Sequence, residues 1–386
     1  MEHIIKAAVE RGASDLHIKA GDVFRARING SLKPLTKQRL TPDQTKAIAM
    51  DLVPTDAIRQ QLDSLRDYDC SWGAPGIGRF RVNILRQRSS FMVVMRVIPF
   101  DVPTLEKLRL PPIVQNIAEL DDGLVLVTGP TGSGKSSTIA GLIHHINSQL
   151  NKHVITVESP IEFLHRDLNS SVTQREVGVD TENLASGLQA SLRQDPDVVV
   201  VQELLDHEMV DAALTAAETG RLVISSFHTP DATSTVSRLV ALFGHEEREV
   251  ARIRIADALA GVISQRLLAT TDGGRCVAAE IATGTPEIRA VIRDRQRAGE
   301  MYDLIADSRE RHGMQTIDQH LVDLVSEQVV EYDLAVAAAT NEAEFRRMDA
   351  VQREAVEEDA SSSERRTGKR TRRHGPRDRR RRKTES

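Results

Sequence analysis

Residues 129–137, Gly-Pro-Thr-Gly-Ser-Gly-Lys-Ser-Ser, are a run built for holding phosphate. Gly129, Gly134, Lys135 and Ser136 satisfy the spacing G-x-x-x-x-G-K-[ST]. Phosphate chemistry needs this pattern because glycines let backbone N–H groups converge on an anion without a Cβ in the way. A helix opening at the end of the run adds its positive dipole end at the same point. Between the fixed positions Pro130, Thr131, Gly132 and Ser133, and after them Ser137, complete the cradle. Lys135 can reach the β- and γ-phosphates, and the Ser136 hydroxyl can ligate Mg²⁺. The implied ligands are ATP and Mg²⁺.

A cradle alone does not separate kinase, switch and motor, so the neighbouring carboxylates matter. The apolar run Val198–Val201 ends in Gln202-Glu203, which puts a carboxylate at the edge of a sheet where open α/β folds bind ligands. A Glu there can polarise an attacking water as a general base. It can also join Ser136 around Mg²⁺ through water. Glu158 closes the run Val154–Val157 at the same edge and could orient the same water. His228 closes Ile224–Phe227 and is positioned to sense a γ-phosphate. His144 and His145 have no metal-ligand partner at useful spacing and read as surface.

The elements that must position these groups alternate along the chain. Apolar strands are expected at 124–128, 153–157, 198–202 and 222–226, with helical periodicity over 136–150, 182–193 and 206–219. That alternation predicts an α/β fold with a parallel sheet and helices on both faces. Upstream, residues 1–100 read as a small α/β domain. A helix is expected at 2–11, a strand at 15–19, and a hairpin at Asn29-Gly30. A helix starts with Thr41 as N-cap and Pro42 at its first position, and strands lie near 78–86 and 91–98. After residue 245 the pattern is helical, with a Gly273-Gly274 hairpin between strands near 267–270 and 275–282. Residues 101–355 form the nucleotide-binding domain, and 356–386 a basic tail.

Composition narrows the class. Aromatic residues make up only 3% of 386, which excludes a stacking platform for single-stranded nucleic acid. Cys70 and Cys276 are isolated, as in a reducing compartment. No segment reaches 18 continuous apolar residues, and the amphipathic start is not a signal peptide, so the expected location is cytoplasmic. Residues 364–386 hold twelve Lys/Arg against three Asp/Glu, a net of +9, and leave −14 on the rest of a chain whose total is −5. Such a tail cannot bury a core and reads as disordered, either a solubilising terminus or a hook for anionic lipid. The acidic body makes nucleic acid an unlikely partner.

Over residues 2 to about 347 the chain resembles the PilT-type twitching-motility ATPases of the secretion-ATPase superfamily. The resemblance is carried by GPTGSGKSS at 129–137, VITVESPIEFLH at 154–165, DPDVVVVQELLD at 195–206 and AAETGRLVISSFHT at 216–229. ASDLHI, GRFRVN, VISQRLL and GMQTIDQ follow the family's order as well. It implies a small PAS-like N-terminal domain, a RecA-like P-loop domain with helical C-terminal part, and a ring-shaped homohexamer. ATP then sits where a subunit's core meets a neighbouring N-terminal domain. Arginines near the γ-phosphate are implied too, and Arg81, Arg96 and Arg193 occupy plausible positions. The absence of an additional N-terminal domain and of any CxxC favours the retraction branch, which works on an inner-membrane platform protein at the cytoplasmic face of the membrane.

The chain departs from the family at Gln202 and Leu205, where Gly and Arg are usual, at Ser159 for Asp, and at Arg221 for the first His of its box. These departures imply slower turnover, with Arg221 a substitute source of positive charge. Three other roles stay open: a pilus-assembly or secretion ATPase, an accessory paralogue beside a conventional retraction ATPase, and a slow regulatory ring.

Overall fold

The structure is a computed structural model that describes residues 1–28, 30–98 and 102–354. The basic tail, the 100/101 domain boundary and Asn29 of the expected hairpin lie outside the described residues.

Apolar alternation in the central strands builds the first sheet. Its strands are β1 (Ala13–Lys19), β2 (Arg25–Ile28), β3 (Ser31–Pro34), β4 (Asp67–Ala74), β5 (Gly78–Gln87) and β6 (Ser90–Ile98). They lie in the order β3-β2-β1-β6-β5-β4, antiparallel throughout. Phe80, Val82 and Ile84 of β5 and Val93 and Met95 of β6 turn inward onto the helices Glu2–Glu10 and Pro42–Leu52. Thr41 caps the second helix as expected. Its hydroxyl accepts from Gln44 N at 3.2 Å, and the Gln44 side chain accepts from Thr41 N at 2.9 Å, a reciprocal capping box.

The second sheet contains β7 (Gly123–Thr128), β8 (His153–Glu158), β9 (Ser171–Glu176), β10 (Val198–Glu203), β11 (Leu222–Phe227), β12 (Leu259–Ala269) and β13 (Arg275–Thr283). The order is β13-β12-β7-β11-β10-β8-β9. Every neighbouring pair is parallel except β12–β13, so the sheet is mixed rather than wholly parallel. β7 shows why the central strands read as unbroken apolar runs. Val125 and Val127 pack on the Lys135–Gln149 helix side, while Leu124 and Leu126 serve the opposite core with Val210 and Leu214 of the His207–Glu218 helix. Both faces are covered, so no polar alternation survives. Parallel pairing brings the carboxyl ends of β7, β8, β10 and β11 to one edge.

Three strands differ from expectation. β4 and β9 are unpredicted because they are charged edge strands, DYDCSWGA and SVTQRE, with little apolar signal. β12 begins at Leu259, not near 267, because its buried apolar run has no periodicity to separate helix from strand. The two sheets are tied by an ion pair between Arg79 of β5 and Glu176 of β9, whose side chain is 2% exposed.

Behind β13, the Ile317–Ser326 helix carries the buried His320, whose Nδ1 accepts from Ala279 N at 2.9 Å. Burial pushes its pKa down to about 4 from an ordinary 6.5, with the Arg309 charge adding to the shift. Between pH 6.5 and 4 the unfolded chain binds this proton and the folded one does not, so stability falls as pH falls through that window. One such group costs about 2 kcal/mol on going from pH 7 to pH 5. His320→Asn keeps an acceptor in place of Nδ1 and is expected to shrink the pH 7-to-5 loss of stability by about that much in urea unfolding. An unchanged loss would contradict the assignment.

Candidate functional site

At the end of β7 the chain turns through Gly129 at φ 139°, a conformation that L side chains rarely adopt. A Cβ there would lie 2.5 Å from Gln265 O and 2.6 Å from Ser133 Oγ, so only glycine fits. Gly132 and Gly134 also hold positive φ, at 83° and 94°, and Gly134 leads into the Lys135–Gln149 helix. The helix therefore starts with its free N–H groups directed at the turn. The Ser133 hydroxyl is buried without a hydrogen-bond partner among the described residues, a donor that a phosphate oxygen would satisfy.

Lys135 is 9% exposed. Its ammonium donates to Gly129 O at 2.9 Å and Pro130 O at 3.1 Å and lies 3.4 Å from His228 Nδ1. On the far side of the ring, His228 Nε2 lies 3.0 Å from Glu203 Oε1. An ammonium can only donate and a carboxylate can only accept, so the chain of contacts favours the neutral imidazole with its proton on Nε2. Burial holds the Lys135 pKa below its ordinary value, against the pull of the Glu203 charge. Two strand ends and the helix start after β7 thus deliver a carboxylate, an imidazole and a cation in one row.

These groups line a cleft of about 1140 Å³ together with Thr131, Gly132, Gly134, Ser136 and Ser137. Arg96 of β6 lines the same cleft, so the N-terminal sheet of this same chain reaches the site. Arg96 also donates from Nε to Asp15 Oδ1 at 3.0 Å. Arg81 is its cross-strand partner on β5 but does not line the cleft. Arg193 is exposed on the amino-end side of β10, where it donates to Gln189 O at 3.3 Å. Within one chain it does not join the site. Arg221 precedes β11 and donates to Thr219 O at 2.9 Å. Six residues of strand separate it from His228, roughly 20 Å, so it cannot supply the missing cleft charge.

Glu158 does not line the large cleft. Its Oε1 accepts from Thr156 Oγ1 at 2.6 Å and Gln174 Nε2 at 3.0 Å, and its Oε2 from Glu162 N at 3.3 Å. Burial raises its pKa, and these donors oppose the rise. Its carboxylate organises the turn that follows β8 and faces a smaller pocket behind Ser136. Four polar groups of the cleft, Glu162, Gln202, Ser226 and Arg275, are not assigned to the site by the sequence reading. Glu162 lies in the VITVESPIEFLH segment, and its spacing of four from Glu158 in the turn after β8 is the available signal. Arg275 opens β13 and Ser226 lies in β11 without a local signal, and Gln202 stands out only as a departure from the family pattern.

The cleft suits a nucleoside triphosphate: a glycine cradle, a buried lysine and a helix start for phosphate, and the apolar Leu108, Leu267 and Val277 beyond it. Its Ser136 hydroxyl and the Glu162 and Glu203 carboxylates are hard oxygen donors of the kind Mg²⁺ takes.

Comparison with known proteins agrees with this geometry. The family model described as type II/IV secretion system protein matches residues 1–364. The type IV pilus retractation ATPase PilT of Pseudomonas aeruginosa is 38% identical over 332 residues, covering 86% of this chain and 96% of its own length. The type IV pilus ATPase PilU of the same organism is 35% identical over 352 residues, covering 90% of each. A crystal structure of the pilus retraction motor PilT with bound ADP matches at a TM-score of 0.81 and 40% identity, over 90% of this chain and 99% of that one.

Proposed function

From membership of the type II/IV secretion system protein family, to which this chain belongs, we propose a hexameric motor that couples ATP hydrolysis to type IV pilus retraction. The observation that carries the reading is the row Lys135–His228–Glu203 at the carboxyl ends of β7, β10 and β11 beside the glycine cradle. ATP enters the cleft with its phosphates against the 129–137 turn. Lys135 exchanges its two carbonyl partners for phosphate oxygens, a redirection that a flexible ammonium makes easily. Glu203 takes the proton of the attacking water, and His228 lies between that event and the lysine on the phosphate. Ser136, and Glu203 through water, would hold Mg²⁺, which would supply charge neutralisation on the phosphates.

Arg96 brings the N-terminal sheet to the cleft, so closure of that sheet on the core is the natural coupling between hydrolysis and movement. Arg81 and Arg193, outside the cleft in one chain, fit contacts between subunits of the ring. The core is RecA-like and the N-terminal domain PAS-like in this reading. No helix of the described residues is long and apolar enough to cross a membrane. In this reading the motor acts on a membrane-embedded platform protein, met from the cytoplasmic side.

A second reading, an accessory ATPase that acts beside a conventional retraction motor, is favoured by one observation. Leu205 is 58% exposed, an apolar side chain two residues past Glu203. Mass photometry with Mg²⁺ and a non-hydrolysable ATP analogue tests the ring. We expect a six-subunit species that grows with nucleotide, because ATP joins elements of the ring. A strictly monomeric particle at micromolar protein would contradict the motor.

A further inference from the structure

We propose that Gln202 is a positioning residue that aims the Glu203 carboxylate by fastening three strand ends together, an inference resting on Glu203 as the hydrolytic base. The backbone register shows why it is needed. β10 pairs with β11 as Val201↔Ser225 and then Glu203↔Ser226, so Gln202 is one extra residue, a bulge. In a regular strand, residues 202 and 203 would point to opposite faces. Here both line the same cleft. The bulge is what turns Glu203 toward His228 while Gln202 stays on the wall.

A bulge at a strand end is loose unless something holds it. On the β11 side, Ser226 Oγ donates to Gln202 O at 2.5 Å and Leu204 N donates to Ser226 O at 3.3 Å. On the β8 side the ladder stops at Val201↔Val157. The next rung is made by the side chain instead: Gln202 Oε1 accepts from Ser159 N, the first residue past β8. One residue thus joins β8, β10 and β11 at the point where Glu203 leaves the sheet. The segment it grips is the turn carrying Glu162, which lines the cleft beside Glu203. Gln202, Ser136 and Glu162 also form the wall between the cleft and the smaller pocket of about 40 Å³ lined by Ile139, Ile143 and Phe163. Loosening the grip frees both carboxylates at once. A glycine at 202 could bulge equally well but could not reach Ser159.

The test uses the full chain with two variants. Gln202→Met keeps the length and removes the acceptor, whereas Gln202→Glu keeps an acceptor for Ser159 N. Steady-state kinetics with ATP and Mg²⁺ should show kcat of Gln202→Met about tenfold lower with KM within about twofold, since positioning and not phosphate binding is lost. Hydrogen exchange of the peptide spanning 155–165 should speed up in Gln202→Met and stay slow in Gln202→Glu. Wild-type kcat and exchange in Gln202→Met, with Glu203→Gln inactive, overturn the proposal and leave the ATPase reading intact. Equal exchange in both variants overturns it too, since the acceptor would then be irrelevant. Hydrolysis at the wild-type rate by Glu203→Gln removes the base assignment and this proposal with it. That failure is distinguished by a persisting exchange difference.

Discussion

Lys135→Ala is expected to abolish nucleotide binding and hydrolysis together. The Lys135 ammonium is the one positive side chain that the cradle itself supplies, and it is held 9% exposed among main-chain carbonyls. Alanine removes that charge and leaves the carbonyls of Gly129 and Pro130 facing the site, where they repel phosphate oxygens. Removing a preorganised charge from a water-poor site costs about 10²–10³ in kcat even when binding survives. Here the same group also serves ground-state binding, so both parameters fall. Lys135→Arg is expected to give little rescue, because a planar fork does not fit the compact pocket between two carbonyls. A fluorescent ATP analogue titrated against each variant measures the effect. Wild-type affinity in Lys135→Ala would show that phosphate lies elsewhere in the cleft.

Glu203→Gln is the second large effect, and it separates chemistry from binding. Glutamine has the shape of glutamate, and its carbonyl oxygen can still accept from His228 Nε2, the contact now measured at 3.0 Å. What it lacks is the ability to take a proton from water. The loss expected for a general base is about 10²–10⁴ in kcat, with the affinity for ATP unchanged. Single-turnover hydrolysis with the affinity measured in parallel checks both halves. Equal loss of binding and rate would mean that Glu203 holds the site together and does not act on water.

The two variants differ in how far their roles could be foreseen. The cradle is local: four residues at fixed spacing, a strand before and a helix after, and Gly129 is required by atoms only a few residues away as well as by Gln265. Glu203 was legible because a buried parallel strand ends there and parallel sheets present ligand sites at that edge. Gln202 was legible only as a departure from the family pattern and not in its role, since a bulge is defined by register against β11 and its side-chain bond reaches the residue past β8, both remote in the sequence. Glu158 looked equivalent to Glu203 at its own strand end, yet Thr156, Gln174 and the Glu162 amide occupy its oxygens. Strand ends in one sheet are alike in pattern and differ in what the next turn offers them. The same reasoning explains β4 and β9, whose polar sequences gain their place only by pairing with β5 and β8. Arg81 and Arg96 are cross-strand neighbours, and only the arrangement of the two sheets decides that Arg96 enters the cleft.

The most direct measurement is imaging of labelled pili in a strain lacking this protein, supplied with either the wild-type chain or Glu203→Gln. The account predicts that pili still extend but fail to retract in the deletion strain. The wild-type chain should restore retraction and Glu203→Gln should not. Retraction at the wild-type frequency and speed in the deletion strain would contradict it.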